Sequence, residues 1–177
     1  LPRAGETVLV LGVNGKVGQA ATQIASWRGA RVIGVVRNDE AYAGHASRPI
    51  DIVSAKSGDV PAKIRSLTDG KGADIVFNTV GDPFYEIAQK SLAVGGRAIF
   101  ISAVDRFVTF DLLAFYKSRH TYVGVDTIAL DSVETGAILK NLLPGFAEGS
   151  LKPFPIVESA IYSFEEAIDA YRTLIGS

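Results

Sequence analysis

Gly12, Gly15 and Gly18 stand at a spacing of three between the apolar run TVLVL (Thr7 to Leu11) and a stretch of helical periodicity. A residue without a β-carbon permits a tight turn, the close approach of a bulky anion, or the packing of a helix onto a strand. From Val17 the apolar positions are Val17, Ala20, Ala21, Ile24 and Ala25, one stripe along a helix, and Gly29 stops it. The unpaired amides and positive dipole end of that helix therefore fall beside Asn14, Gly15 and Lys16, where a diphosphate is held by backbone alone and Lys16 adds a contact. The alternative is a tight strand-to-helix turn that binds nothing. Against it stands the order of strand, glycine turn, helix and second strand.

These residues must be positioned by a sheet. Thr7, Val8, Leu9, Val10 and Leu11 run without polar alternation, as a strand does when helices cover both faces of a parallel sheet. Further strands are expected at residues 31–36 (RVIGVV), 49–53 (PIDIV), 73–80 (ADIVFNTV), 97–102 (RAIFIS) and 120–125 (HTYVGV). Right-handed crossovers then give a doubly wound, Rossmann-type α/β fold, a parallel six-stranded sheet of order 3-2-1-4-5-6 with helices on both faces. Residues 41–47 read as a short helix, and Asp59 as the cap of a helix burying Val60, Ile64 and Leu67. The next helix is expected to bury Phe84, Ile87, Ala88 and Leu92, with Gly95 and Gly96 turning the chain into the fifth strand. Residues 131–149 read as helical until Pro144 interrupts them, and 156–161 as a strand before a last helical stripe that includes Phe164, Ile168, Tyr171 and Ile175.

In such sheets ligands lie beyond the carboxyl ends of the strands, at the point where strand order reverses. Asn78, Thr79, Val80 and Gly81 end the fourth strand there, and Ser102, Ala103 and Val104 the fifth, the last three small enough for a flat ring to lie against backbone. Arg37 lies nineteen residues after Gly18, with Asn38 beside it, where such folds meet the adenosine ribose. An arginine there suits a 2′-phosphate and favours NADP(H) over NAD(H). The alternative is that Arg37 ends its strand in solvent and Asp39 or Glu40 reaches the ribose.

The whole chain bounds the function. Its 177 residues suffice for one core of about six strands. Net charge is −1 with lysine and arginine dispersed, so no basic face addresses nucleic acid or a membrane. No apolar run approaches the roughly 20 residues of a membrane span, and no signal-like start precedes the first strand; a cytoplasmic protein is expected. With no cysteine and two histidines far apart, His45 and His120, neither a disulfide nor a zinc ion bound by this fragment is expected.

With these residues in place, the chain resembles the cofactor-binding half of the medium-chain dehydrogenase/reductase superfamily, in its quinone-oxidoreductase and zinc-binding-alcohol-dehydrogenase-like branches. The resemblance runs through GETVLVLGVNGKVGQAATQIA, GADIVFNTVG, AVGGRAIFIS, TFDLLAFYKSRHTYVGVDT and GSLKPFPIVESAIYSFEEAIDAYRTL, in that order. It implies hydride transfer to or from a carbonyl, quinone or activated alkene, with Gly15, Lys16 and Val17 near the pyrophosphate and Val80 and Ser102 to Val104 near the nicotinamide. It also implies that residues 1–152 form the dinucleotide-binding domain and that 153–177 return to a catalytic domain outside this chain, which holds the small-molecule substrate and any catalytic group. A homodimer through the edge of the sixth strand is a further expectation. Two other readings stay open: a noncatalytic nucleotide-binding redox sensor, and an NAD-dependent zinc alcohol dehydrogenase.

Overall fold

The computed structural model describes residues 1–126, 128–156 and 158–175. Its strands are β1 (Thr7–Leu11), β2 (Arg31–Val36), β3 (Asp51–Ser54), β4 (Ala73–Asn78), β5 (Leu92–Phe100) and β6 (Thr121–Gly124). They form one parallel sheet in the order β3-β2-β1-β4-β5-β6. Because β1 lies between β2 and β4, its residues are shielded on all sides, and Leu9, Val10 and Leu11 have no exposed surface. Each contributes on the order of 1.5–3 kcal/mol by leaving water.

Alternate side chains of the sheet face two different cores. Leu9, Leu11, Ile33 and Val35 pack with Val60 and Ile64 of α2 (Val60–Leu67) and Ala88 of α3 (Tyr85–Ser91). Val8, Val10, Val32 and Val36 pack with Ala25 of α1 (Lys16–Trp27) on the opposite face. The α/β class, strand order and two-faced helix cover are as read from the apolar runs. Asp59 caps α2, its carboxylate accepting from the Ala62 amide at 3.0 Å. Among the described residues, no helix is long and apolar enough to cross a membrane.

Several expectations are corrected. Residues 41–47 form no helix but an irregular segment, since Tyr42 is their one large apolar side chain and Gly44 leaves no space for a β-carbon beside Tyr42 and Gln19. The fifth strand starts at Leu92, so this residue leaves the helix early. Gly95, with φ +78°, and Gly96 lie within the strand, where the pairing with β4 slips from Ala73↔Leu92 to Ile75↔Arg97. The paired glycines thus make a bulge rather than the turn before the strand.

The helical stretch is interrupted ahead of Pro144, whose ring in a continuous helix would meet the Lys140 carbonyl. Pro144 lies in the first turn of α6 (Leu143–Ala147), where its missing N–H costs nothing, after α5 (Ser132–Lys140) has ended. The strand expected at 156–161 is a single 3-10 turn, Glu158–Ala160, before α7 (Ala167–Ile175); Val157 lies outside the described residues. Strands β3, β4 and β6 differ from expectation only by one or two residues at their ends.

The face that α1 buries is also more polar than its apolar stripe suggests. Val17 is half exposed, whereas Gln19, Thr22, Gln23 and Ser26 are buried. Three of them are satisfied by neighbouring segments. Gln19 Nε2 donates to the Asn14 carbonyl at 2.7 Å, Gln23 Oε1 accepts from the Lys152 amide at 2.8 Å, and Ser26 Oγ accepts from the Arg48 amide at 2.9 Å. The helix is thereby a post to which the chain on both sides is fastened.

Candidate functional site

The turn between β1 and α1 is held by backbone. The Gly12 and Val13 amides both donate to the Val35 carbonyl at 3.1 Å, which ties the turn to the end of β2, and the Gly15 amide donates to the Gly12 carbonyl at 3.1 Å. Gly12 has φ +79°, a conformation that glycine adopts without strain. A β-carbon on Gly12 would lie 2.6 Å from Thr79 Oγ1 and 2.8 Å from Val80 Cγ2; one on Gly18 would lie 2.3 Å from the Gly12 carbonyl oxygen. Both glycines are required by the protein's own packing.

Gly15 is different. A β-carbon there would meet only the Gly12 carbonyl, at an ordinary contact distance of 3.4 Å, and the residue is exposed. As the N-cap of α1 it provides no side-chain acceptor, and the first turn of the helix carries no acidic residue. The leading amides of a twelve-residue helix therefore face outward beside a gap that a side chain would fill. An anion such as a pyrophosphate is favoured by that arrangement.

The carboxyl ends of β4 and β5 meet on the same side. Asn78 is fully buried; its Oδ1 accepts from the Val80 and Gly81 amides at 3.0 and 2.9 Å, and its Nδ2 donates to the Gly81 carbonyl at 2.8 Å. The Thr79 hydroxyl donates to the Leu11 carbonyl at 2.7 Å, joining this turn to the end of β1. Gly81, at φ +95°, packs so closely on the next strand that a β-carbon would lie 2.9 Å from the Ser102 carbonyl oxygen and 3.0 Å from Ala103 Cα. Asp82 Oδ1 accepts from the Val104 and Asp105 amides at 2.6 and 2.7 Å. The Asp105 amide, followed by that of Val104, holds this carboxyl below the usual aspartate range, against a partial loss of water.

The structure thus brings Gly12, Thr79, Val80, Gly81, Ser102 and Ala103 together across three strand ends, with Val104 exposed at the rim. Arg37 and Asn38 directly follow β2, two residues beyond the carbonyl that anchors the turn; both are exposed, and the Arg37 side chain has no hydrogen bond or ion pair among the described residues. Lys16 is turned toward the C-terminal segment, its Nζ 5.0 Å from the centre of the Phe154 ring. Both polar atoms of Asn14 hold a protein partner: Nδ2 donates to the Ala41 carbonyl at 3.0 Å and Oδ1 accepts from the Ala43 amide at 2.9 Å. His45 and His120 lie elsewhere, and among the described residues no group of three or more histidines, cysteines or carboxylates could hold a metal.

Asp82, Gln19 and Gly34 support the site from behind, and the glycine spacing gave no hint of them; Asn78, expected at the surface of the site, is buried and braces it from behind as well. Gly34 in β2 leaves room for Val13, whose Cγ2 a β-carbon would approach to 2.8 Å. Asn78 had a local signal, an asparagine three residues before a glycine; Asp82 had none, because its partners are 22 and 23 residues away.

The sequence matches the zinc-binding dehydrogenase family over residues 17–140. It is 30% identical over 180 residues to a zinc-type alcohol dehydrogenase-like protein of Schizosaccharomyces pombe, covering 98% of this chain and 51% of that protein. It is 37% identical over 174 residues to the acryloyl-coenzyme A reductase of Metallosphaera sedula, covering 97% and 48%. The fold superposes on a quinone oxidoreductase of Pseudomonas syringae pv. tomato with a TM-score of 0.79 and 25% identity, covering 97% of this chain and 54% of that one. The chain spans about half the length of these relatives. A parallel sheet of order 3-2-1-4-5-6, a glycine turn shaped around an absent side chain and this match agree: the chain belongs to the zinc-binding dehydrogenase family, as a cofactor-binding domain of the medium-chain dehydrogenase/reductase superfamily.

Proposed function

We propose that this domain holds NADP(H) for an oxidoreductase that transfers hydride to or from an activated alkene, a carbonyl or a quinone. The observation that carries the reading is the outward-facing first turn of α1 beside Gly15, where no protein atom replaces the absent side chain within van der Waals contact except the Gly12 carbonyl. In this reading the amides of Lys16 and Val17 bind the pyrophosphate, which lies over Gly15, Arg37 and Asn38 meet the adenosine ribose and its 2′-phosphate, and Thr79, Val80, Gly81, Ser102, Ala103 and Val104 flank the nicotinamide. The nicotinamide ring supplies or accepts the hydride; the chain orients it. Residues 1–152 form the nucleotide-binding unit, and the substrate pocket belongs to a further domain that residues 153–177 rejoin. The name of the acryloyl-coenzyme A reductase, a 37% identical relative, favours the activated alkene among the three substrate classes.

Fluorescence titration with NADPH and NADH tests the cofactor preference. NADPH binds more tightly, and Arg37→Asp reverses the order, because a charge-assisted phosphate contact is worth about 1.5–3 kcal/mol, roughly ten- to a hundredfold in affinity. Equal affinities in the unaltered protein would remove the preference; no binding of either nucleotide would remove the reading itself.

A further inference from the structure

The segment from Arg37 to the start of β3 has no helix and no strand, yet it carries Arg37 and Asn38, to which the proposed function gives the adenosine ribose. Without a backbone ladder its position depends on side chains from α1 and the glycine turn. At its far end Ser26 Oγ accepts from the Arg48 amide at 2.9 Å and lies 3.0 Å from Ser47 Oγ. At its near end Asn14 supplies the hydrogen bonds, with Nδ2 to the Ala41 carbonyl and Oδ1 to the Ala43 amide, beside Tyr42, which packs on the core. The two partners fix the orientation of the carboxamide, since a carbonyl only accepts and an amide only donates. Asn14 is itself held by buried Gln19, whose Nε2 donates to its carbonyl.

We propose that Asn14 is a positioning residue for the adenosine end of the nucleotide: by locking the segment after β2 onto the phosphate turn, it sets where Arg37 meets the ribose. This rests on the nucleotide reading above. Asn14 differs in role from the glycines beside it, because both polar atoms of its side chain hold a protein partner, which fixes the carboxamide against the segment. Only a side chain that both donates and accepts at this reach can bridge a carbonyl and an amide two residues apart. Aspartate would lose the donor and bring a carboxylate against the Ala41 carbonyl oxygen.

The test uses calorimetric titration of the protein and its Asn14→Ala and Asn14→Asp variants with two probes, 2′-phospho-ADP-ribose for the adenosine side and reduced nicotinamide mononucleotide for the other. Both variants bind the adenosine-side probe about tenfold more weakly, the effect of losing a well-made hydrogen-bonded anchor, and the mononucleotide within about twofold of the unaltered protein. Arg37→Ala weakens the adenosine-side probe in the unaltered protein but adds little in the Asn14→Ala background, a non-additivity that general loosening would not produce. Tryptic cleavage after Arg37 is also faster in Asn14→Ala without any ligand. Equal loss of both probes, or additive effects of the two substitutions, would overturn the positioning role while leaving nucleotide binding intact; failure of the unaltered protein to bind either probe would take down both readings.

Discussion

Gly18 lies directly beneath the carbonyl of Gly12, so close that a β-carbon on the one would come within 2.3 Å of the oxygen on the other. The atom in the way is backbone, and that backbone also receives the Gly15 amide. Gly18→Ala must therefore move the turn or the helix, at a cost of about 1–3 kcal/mol. Urea denaturation of the variant should give a lower midpoint with an unchanged slope.

Gly15→Val separates fold from binding. The residue has φ −65° and ψ 154°, which valine adopts readily, and its β-carbon clashes with nothing. Exchanging glycine for valine at a helix N-cap costs on the order of 0.5–1 kcal/mol, so the domain stays folded. Nucleotide titration should nevertheless give no saturable signal, since the side chain fills the space beside the helix amides. Retained binding would mean that the phosphate lies elsewhere.

Asp82 joins the ends of β4 and β5, and its effect should vanish in acid. Its carboxyl titrates below the ordinary value of 3.8, because the charged form accepts from the Asp105 and Val104 amides. The stabilisation is therefore fully present above the unfolded-state value and is lost as pH falls through the lower, folded-state value. Asp82→Ala should be less stable than the unaltered protein at pH 7, with the gap closing below about pH 4. In the same variant the amide signals of Val104 and Asp105 should lose their protection from hydrogen exchange.

His120 also costs stability as pH falls, but nearer neutrality. Its ring stacks on Tyr122 with centroids 6.5 Å apart, and both ring nitrogens are buried without a hydrogen bond of good geometry among the described residues. Burial lowers its pKa from 6.5, with the Ala93 backbone opposing. The unfolded chain then takes up a proton that the folded chain refuses, so stability falls as pH drops through 6.5 toward the folded value. His120→Phe, which keeps the ring and removes the titration, should flatten the stability profile between pH 7.5 and 5.5. An unchanged slope would show that another group carries it.

The sheet was legible because its central strands are continuous apolar runs, such as Thr7 to Leu11, that only a two-sided burial accommodates. Legibility failed where small residues serve two purposes. Gly95 and Gly96 look like a turn and form a bulge, and the alanines of residues 41–47 look helical in a segment pinned by Asn14. At the site, Gly12, Gly15 and Gly18 could be found by spacing, and Gly81 by its place after a strand. The side chains that brace them could not, since Gln19 reads as helix surface and Asp82 as an ordinary helix start, and each finds its partner only in three dimensions.

The segment between β2 and β3 is attached to the domain at a few points and belongs to neither hydrophobic layer except through Tyr42 and Ile50. Its residues can consequently be exchanged as a cassette, provided those anchors persist, without disturbing the alignment of any neighbouring strands. A switch of coenzyme in this lineage would then leave its trace in about a dozen contiguous codons after Val36 and leave the rest of the gene untouched.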